Sequence, residues 1–145
     1  MTKDNIKTVD GYYVWKKGES LWINNWFKTT EFSCQCSHKE CVDQKIAVEL
    51  INRLTEIREQ AKSPMRVHSG FRCHAHQEDI RNSGVSTVVA QKSTHELGDA
   101  ADVSISSLIT AELVNLAAKK FHSIGIALNF IHVDLRDDKV RRWKY

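Results

Sequence analysis

The chain has one proline and only six glycines in 145 residues, and no stretch rich in them divides it. It has no internal repeat and no low-complexity tract, which excludes a repeat architecture. No apolar run approaches the roughly 20 residues that a helix needs to cross a bilayer, so membrane insertion is not expected. The opening residues, MTKDNIKTVDGYYVWKKGES, lack both an apolar core and a small-residue cleavage site. Synthesis in the cytoplasm without a signal peptide is therefore expected, with any later delivery left to another agent. Charge of one sign is in slight excess, since 21 Lys and Arg oppose 18 Asp and Glu for a net +3. That balance fits a plain soluble protein, or one drawn to an anionic surface; nucleic acid is not expected as a partner. The 41% hydrophobic and 27% charged content suit one globular domain with one core, expected to act as a monomer.

Four cysteines are present. Cys34, Cys36 and Cys41 form a C-x-C-x4-C cluster that includes His38, and Cys73 stands apart. The spacing matches neither paired CxxC units nor a Cys2His2 finger, so a small structural zinc site, a disulfide clip and reduced thiols packed in a loop all stay open. Residues 1–25 read as an N-terminal arm or edge segment and residues 26–145 as the domain proper. The aromatics Tyr12, Tyr13, Trp15, Trp22, Trp26 and Phe27 follow no clear period; they suit a binding arm or packing over a core edge.

Between Asp43 and Ala61 the apolar residues Ile46, Ala47, Leu50, Ile51, Leu54 and Ile57 recur at helical spacing, with Asp43 as N-cap and Ser63-Pro64 as the stop. Met65–Phe71 reads as a short strand, His74–Arg81 as a polar helical turn, and the stretch around Gly84 as a loop. Ala101, Val103 and Ile105 alternate with Asp102 and Ser104, the pattern of a half-buried strand over Ala100–Ile105. A second amphipathic helix follows, capped by Thr110 and burying Leu113, Val114, Leu116, Ala117 and Phe121. A strand over Phe130–Arg136, a charged turn at Asp137-Asp138-Lys139 and a short strand through Val140 and Trp143 close the chain. The sum is an α+β domain with helices on one face of a small, mainly antiparallel sheet.

The strand phase aims the polar residues. Ile131, Val133 and Leu135 face the core, leaving Phe130, His132 and Asp134 on the other face. If both strands share a sheet, Asp102, His132 and Asp134 converge there, and His95 on the preceding loop closes the set. Two imidazoles and a carboxylate suit a divalent zinc ion and leave a fourth position for water, as in catalytic sites.

The stretch Ser93-Thr94-His95-Glu96-Leu97-Gly98-Asp99-Ala100-Ala101-Asp102 matches S-x-H-x-x-G-x-A-x-D, and so resembles the signature of the M15 zinc D,D-peptidases, which share a fold with the hedgehog signalling domain. Ser69-Gly70-Phe71-Arg72 resembles the family's SGYR segment and Phe130–Asp134 its F-V-H-x-D strand. Val140–Trp143 resembles the basic-plus-tryptophan ending of one branch, and Phe32–Cys41 the F-x-C-x-C segment of phage-borne members. The resemblance runs from about Trp26 to the C-terminus. It implies zinc ligands at His95, Asp102 and His132, a loop-shaping role for Ser93, and a substrate-binding role for Arg72 through paired hydrogen bonds. Gly98 and Ala100 are expected to leave room where backbone nears the metal.

Several family members carry an acid three positions before the last histidine ligand; here that position is Asn129. Asp134 is the replacement general base, or else a carboxylate that orients His132. His122, Glu96 and Asp99 are more distant candidates, while His68, His74 and His76 read as surface or structural. The activity implied is zinc-dependent hydrolysis of bacterial peptidoglycan peptides, as a D-Ala-D-Ala carboxypeptidase or an endopeptidase, in the setting of a phage endolysin released by a holin or carried in a virion. Asn129 motivates the alternative of a non-catalytic, zinc-containing wall-binding or phage-tail module. A peptidase for free dipeptides is a third reading.

Overall fold

A computed structural model describes residues 5–82 and 93–145; the loop expected around Gly84 lies outside them. The chain opens with a hairpin, β1 (Lys7–Val9) and β2 (Tyr12–Lys16). Its two-residue turn is Asp10-Gly11, both with positive φ (50° and 86°), the combination that matches strand twist in a tight hairpin. A short helix, α1 (Thr29–Phe32), precedes β3 (Asp43–Ala47), which pairs antiparallel with β2 to complete a three-stranded sheet.

Asp43 is therefore not a helix cap. Gln44 and Ile46 point inward while Asp43 is exposed and Lys45 half-buried, a period of two; the long helix α2 (Val48–Ala61) begins only after Ala47. The spacing of Ile46, Leu50 and Leu54 runs unbroken across the junction and conceals it. The stop is where the sequence places it: Lys62 turns left-handed at φ 53° and its N–H reaches back to Arg58 and Glu59, just before Ser63-Pro64.

The second sheet holds β4 (Arg66–Ser69), β5 (Ala100–Ser104), β6 (Ser123–Ile126), β7 (Ile131–Asp134) and β8 (Arg141–Lys144), in the order β4-β5-β7-β6-β8. All neighbours are antiparallel except β6 and β8. The remaining helices are α3 (His74–Asn82) and α4 (Thr110–Ala117). Thr110 begins α4 rather than capping it: the N-cap is Ile109, whose N–H donates to Glu112, while the Thr110 hydroxyl donates to Leu128 O.

Ala101, Val103, Ile124, Ile131 and Val133 are buried on one face of this sheet, in a core shared with Leu50, Leu54 and Ile57 of α2 and with Leu113 and Ala117 of α4. Tyr13 and Trp15 of the N-terminal hairpin join the same core, with Phe27 and Phe32. This is a single α+β domain, with α2 and α4 packed over the core face of the five-stranded sheet.

Candidate metal centre

Strand register assembles the site in one row. Ser69, Asp102, His132, Gly125 and Trp143 are successive partners across β4, β5, β7, β6 and β8, so all five residues share the face opposite the core. His95 enters from the loop before β5. Its Nε2 lies 3.2 Å from Asp102 Oδ1 and 3.2 Å from His132 Nδ1, and His132 Nδ1 lies 3.0 Å from that same oxygen. All three side chains are buried.

The outer nitrogens decide what these inner atoms are. His95 Nδ1 is 2.7 Å from the carbonyl oxygen of Gly70, which can only accept, so Nδ1 carries the proton. His132 Nε2 is 2.8 Å from the Asp134 carboxylate and carries its proton for the same reason. With both rings neutral, His95 Nε2, His132 Nδ1 and Asp102 Oδ1 turn three lone pairs toward one point, and only a cation reconciles them. Zinc bonds of 2.0–2.1 Å in a tetrahedron give ligand–ligand edges of about 3.3 Å, close to the spacings found. Lacking a metal, a proton serves. Burial works against a charged His132, but hydrogen bonds to Asp102 and Asp134 outweigh it and raise its pKa above the ordinary value. For the more deeply buried His95 desolvation prevails, and its pKa falls. Burial also opposes ionisation of Asp102, yet the imidazoles, His95 foremost, hold its carboxyl well below the usual range.

Sequence comparison with protein families then decides the lineage. The family model for Peptidase M15 matches residues 25–134. The chain belongs to the M15 peptidases. Members are metallopeptidases, hydrolases of peptide bonds, and the three converging donors are where this one could hold its ion. No curated protein and no solved structure matched the chain.

Around the donors, this M15 peptidase places the other sequence-derived candidates unequally. Asp134 is fully buried and accepts five hydrogen bonds, from Ser123 Oγ, from His132 Nε2, and from the backbone N, Nε and Nη2 of Arg136. Burial works against its ionisation, but His132 and Arg136 keep its carboxyl well below the usual range. It stands behind His132, on the side away from the donor cluster. Arg72 donates from Nε to Ser69 Oγ (3.0 Å) and from Nη2 to Asp102 Oδ2 (3.2 Å), at the edge of the site. Ser93 Oγ accepts the His95 N–H at 3.1 Å and shapes the loop.

Asn129 is exposed and lines a separate hollow with Ile105, Leu108 and Thr110. His122 pairs with Asp137, and His74 with Glu96. Asp99 accepts the Tyr12 hydroxyl at 2.6 Å, which ties the site loop to β2. Gly98, at φ 78°, also differs from its expected role: a Cβ there would meet Lys45 at 3.1 Å, so the close approach is to β3.

The aromatic wall was not read from sequence, although Gly125 marks it. A Cβ on Gly125 would lie 2.5–2.7 Å from the Trp143 indole. The bare glycine lets that indole lie beside His132, ring centres 5.3 Å apart, with Tyr145 and Phe130 continuing the wall. His68 stands next to Phe130, hydrogen-bonded to Ser104. A cavity of about 720 Å³ lies beyond the site loop, lined in part by Trp15, Lys45, Phe71, His74 and Glu96.

Proposed function

We propose that this M15 peptidase is a zinc enzyme that hydrolyses amide bonds in bacterial peptidoglycan peptides, with His95, Asp102 and His132 as the metal ligands. The observation that carries the reading is the convergence of three lone pairs whose tautomers are set from outside. A zinc ion held there supplies Lewis acidity toward a peptide carbonyl and toward water.

The chain's own residues do the rest. Gly70 O and Asp134 hold the two imidazoles in the tautomers that bind metal. With its acceptors occupied and its carboxyl turned from the donors, Asp134 serves as a positioning residue and not as the proton acceptor. Arg72, anchored on Ser69, offers its guanidinium to a carboxylate or carbonyl of the stem peptide. Trp143 and Tyr145 form an apolar wall against which the peptide lies while Phe130 extends it.

The test is incubation of the purified, zinc-loaded protein with peptidoglycan, followed by mass spectrometry of the released fragments. New peptide termini are expected, and their identity separates carboxypeptidase from endopeptidase cleavage. They should vanish, with the zinc ion of this centre, in His95→Ala, Asp102→Ala and His132→Ala. Intact wall despite a bound zinc ion would leave a non-catalytic wall-binding module; cleavage of soluble dipeptides alone would exclude the wall as substrate.

A further inference from the structure

A second cluster of metal-ligating side chains lies outside the peptidase site. Cys34 and Cys36 are two apart in an irregular stretch after α1; the turn at Lys39-Glu40 brings Cys41 back, with its N–H donating to His38 O at 3.1 Å. Cys73 arrives from the corner between β4 and α3. All four are free thiols, and their sulfurs lie within 4.8 Å of one another, with Cys36 and Cys73 3.6 Å apart. Four thiolates around zinc at 2.3 Å have sulfur–sulfur edges of about 3.8 Å, so the set needs little adjustment to close on an ion.

Hydrogen-bond donors around the sulfurs suit thiolates. The Cys73 N–H donates to Cys34 Sγ (3.4 Å), the His76 N–H to Cys73 Sγ (3.3 Å) and the Gln44 amide to Cys41 Sγ (3.3 Å). The Lys17 ammonium reaches Cys36 Sγ (3.4 Å) and the Cys36 carbonyl (2.5 Å). Each sulfur thus has its own donor, and one of these is a cation that offsets the net negative charge of four thiolates on a divalent ion. Cys34 and Cys41 are buried, with Phe71 packed against the cluster. The only apolar cluster beside the main core among the described residues is this one, too small to hold a ten-residue irregular loop by itself.

We propose that Cys34, Cys36, Cys41 and Cys73 bind a second zinc ion, a structural one, that pins the loop after α1 to the corner carrying Arg72. Closing the site converts four thiols to thiolates and releases four protons, with no change of oxidation state. The site has no open position, unlike the His95–Asp102–His132 centre, which leaves one for substrate.

The full-length protein, purified under reducing conditions without chelator, should carry two zinc ions per chain by elemental analysis. Cys36→Ser/Cys73→Ser should carry one, as should His95→Ala. Cobalt exchanged into the wild type and into His95→Ala should give thiolate-to-cobalt charge-transfer absorption in the near ultraviolet, absent from the double cysteine variant. Because a cysteine variant can fail to fold, the wild type provides a second reading: its four thiols should resist alkylation until zinc is chelated. Four thiols open to alkylation with zinc present, two disulfides in the purified protein, or iron in stoichiometric amount would overturn the assignment. The cobalt–thiolate signal reports only on sulfur, so it stands or falls independently of the catalytic centre.

Discussion

Asp134 shows how one side chain's chemistry follows from what is packed round it. A carboxylate with every acceptor occupied and no exposed surface holds an imidazole better than it collects a proton. Asp134→Asn should therefore lower zinc affinity about 10–100-fold, read by competition with a chromophoric chelator, while turnover persists at saturating zinc. Unchanged affinity with lost turnover would restore Asp134 as the base. Gly125 acts through absence. Gly125→Ala drives a methyl into the Trp143 indole, so the variant should lose about 1–3 kcal/mol in a thermal melt and show a raised KM with metal content intact. His132 answers for acidity. Its raised pKa means that in the empty site a proton already competes at pH values above the ordinary 6.5. Metal needs that lone pair, so zinc occupancy should fall as pH drops through this range, by about tenfold in affinity per unit, measured by equilibrium dialysis.

Elements differ in how openly the sequence displays them. Strands β5 and β7 were legible down to which residues share the face opposite the core, because apolar residues alternating with Asp102 and Ser104 in one strand and with His132 and Asp134 in the other have a single period-two reading. Strand β3 was hidden by its continuity with α2, and β6 by its brevity: Ser-Ile-Gly-Ile has a glycine where a side chain would mark the outer face. The β1–β2 hairpin carried its signal in Asp10-Gly11, but the aromatics without a period that follow it obscured it. That hairpin reaches the site through Tyr12, whose hydroxyl holds Asp99. Burial, reinforced by Asp99, pushes the Tyr12 pKa up to about 12. The raised value favours the folded state below pH 10 and ceases to do so as pH climbs from 10 to 12. Thermal melts should show the wild type losing stability over that window more steeply than Tyr12→Phe. Buried Tyr13 contributes with the same sign in both proteins, so the difference isolates Tyr12.

At the scale of the whole molecule, two small sheets share one core, and the chemistry stands on the face of the larger sheet opposite that core. The three donors could be inferred from a motif and a strand phase. The sulfur cluster could not, since Cys73 lies 32 residues beyond Cys41 and only the fold brings it near. Removing metal with a chelator should abolish hydrolysis and lower the melting temperature, because a ligand present at 100 times its Kd adds about 2.7 kcal/mol to the folded state.

The short run Ser69–Cys73 touches both clusters in alternation. Ser69 holds Arg72, Gly70 O holds His95, and Phe71 N–H is fixed to Phe32 O. Arg72 N–H is fixed to His95 O, and Cys73 N–H points at the sulfur of Cys34. Five consecutive residues therefore join the two donor clusters, and with both filled they would act as a lever between two ion-binding equilibria. A lever of this kind is reciprocal: whatever filling one cluster adds to the affinity of the other, the other must return in equal measure.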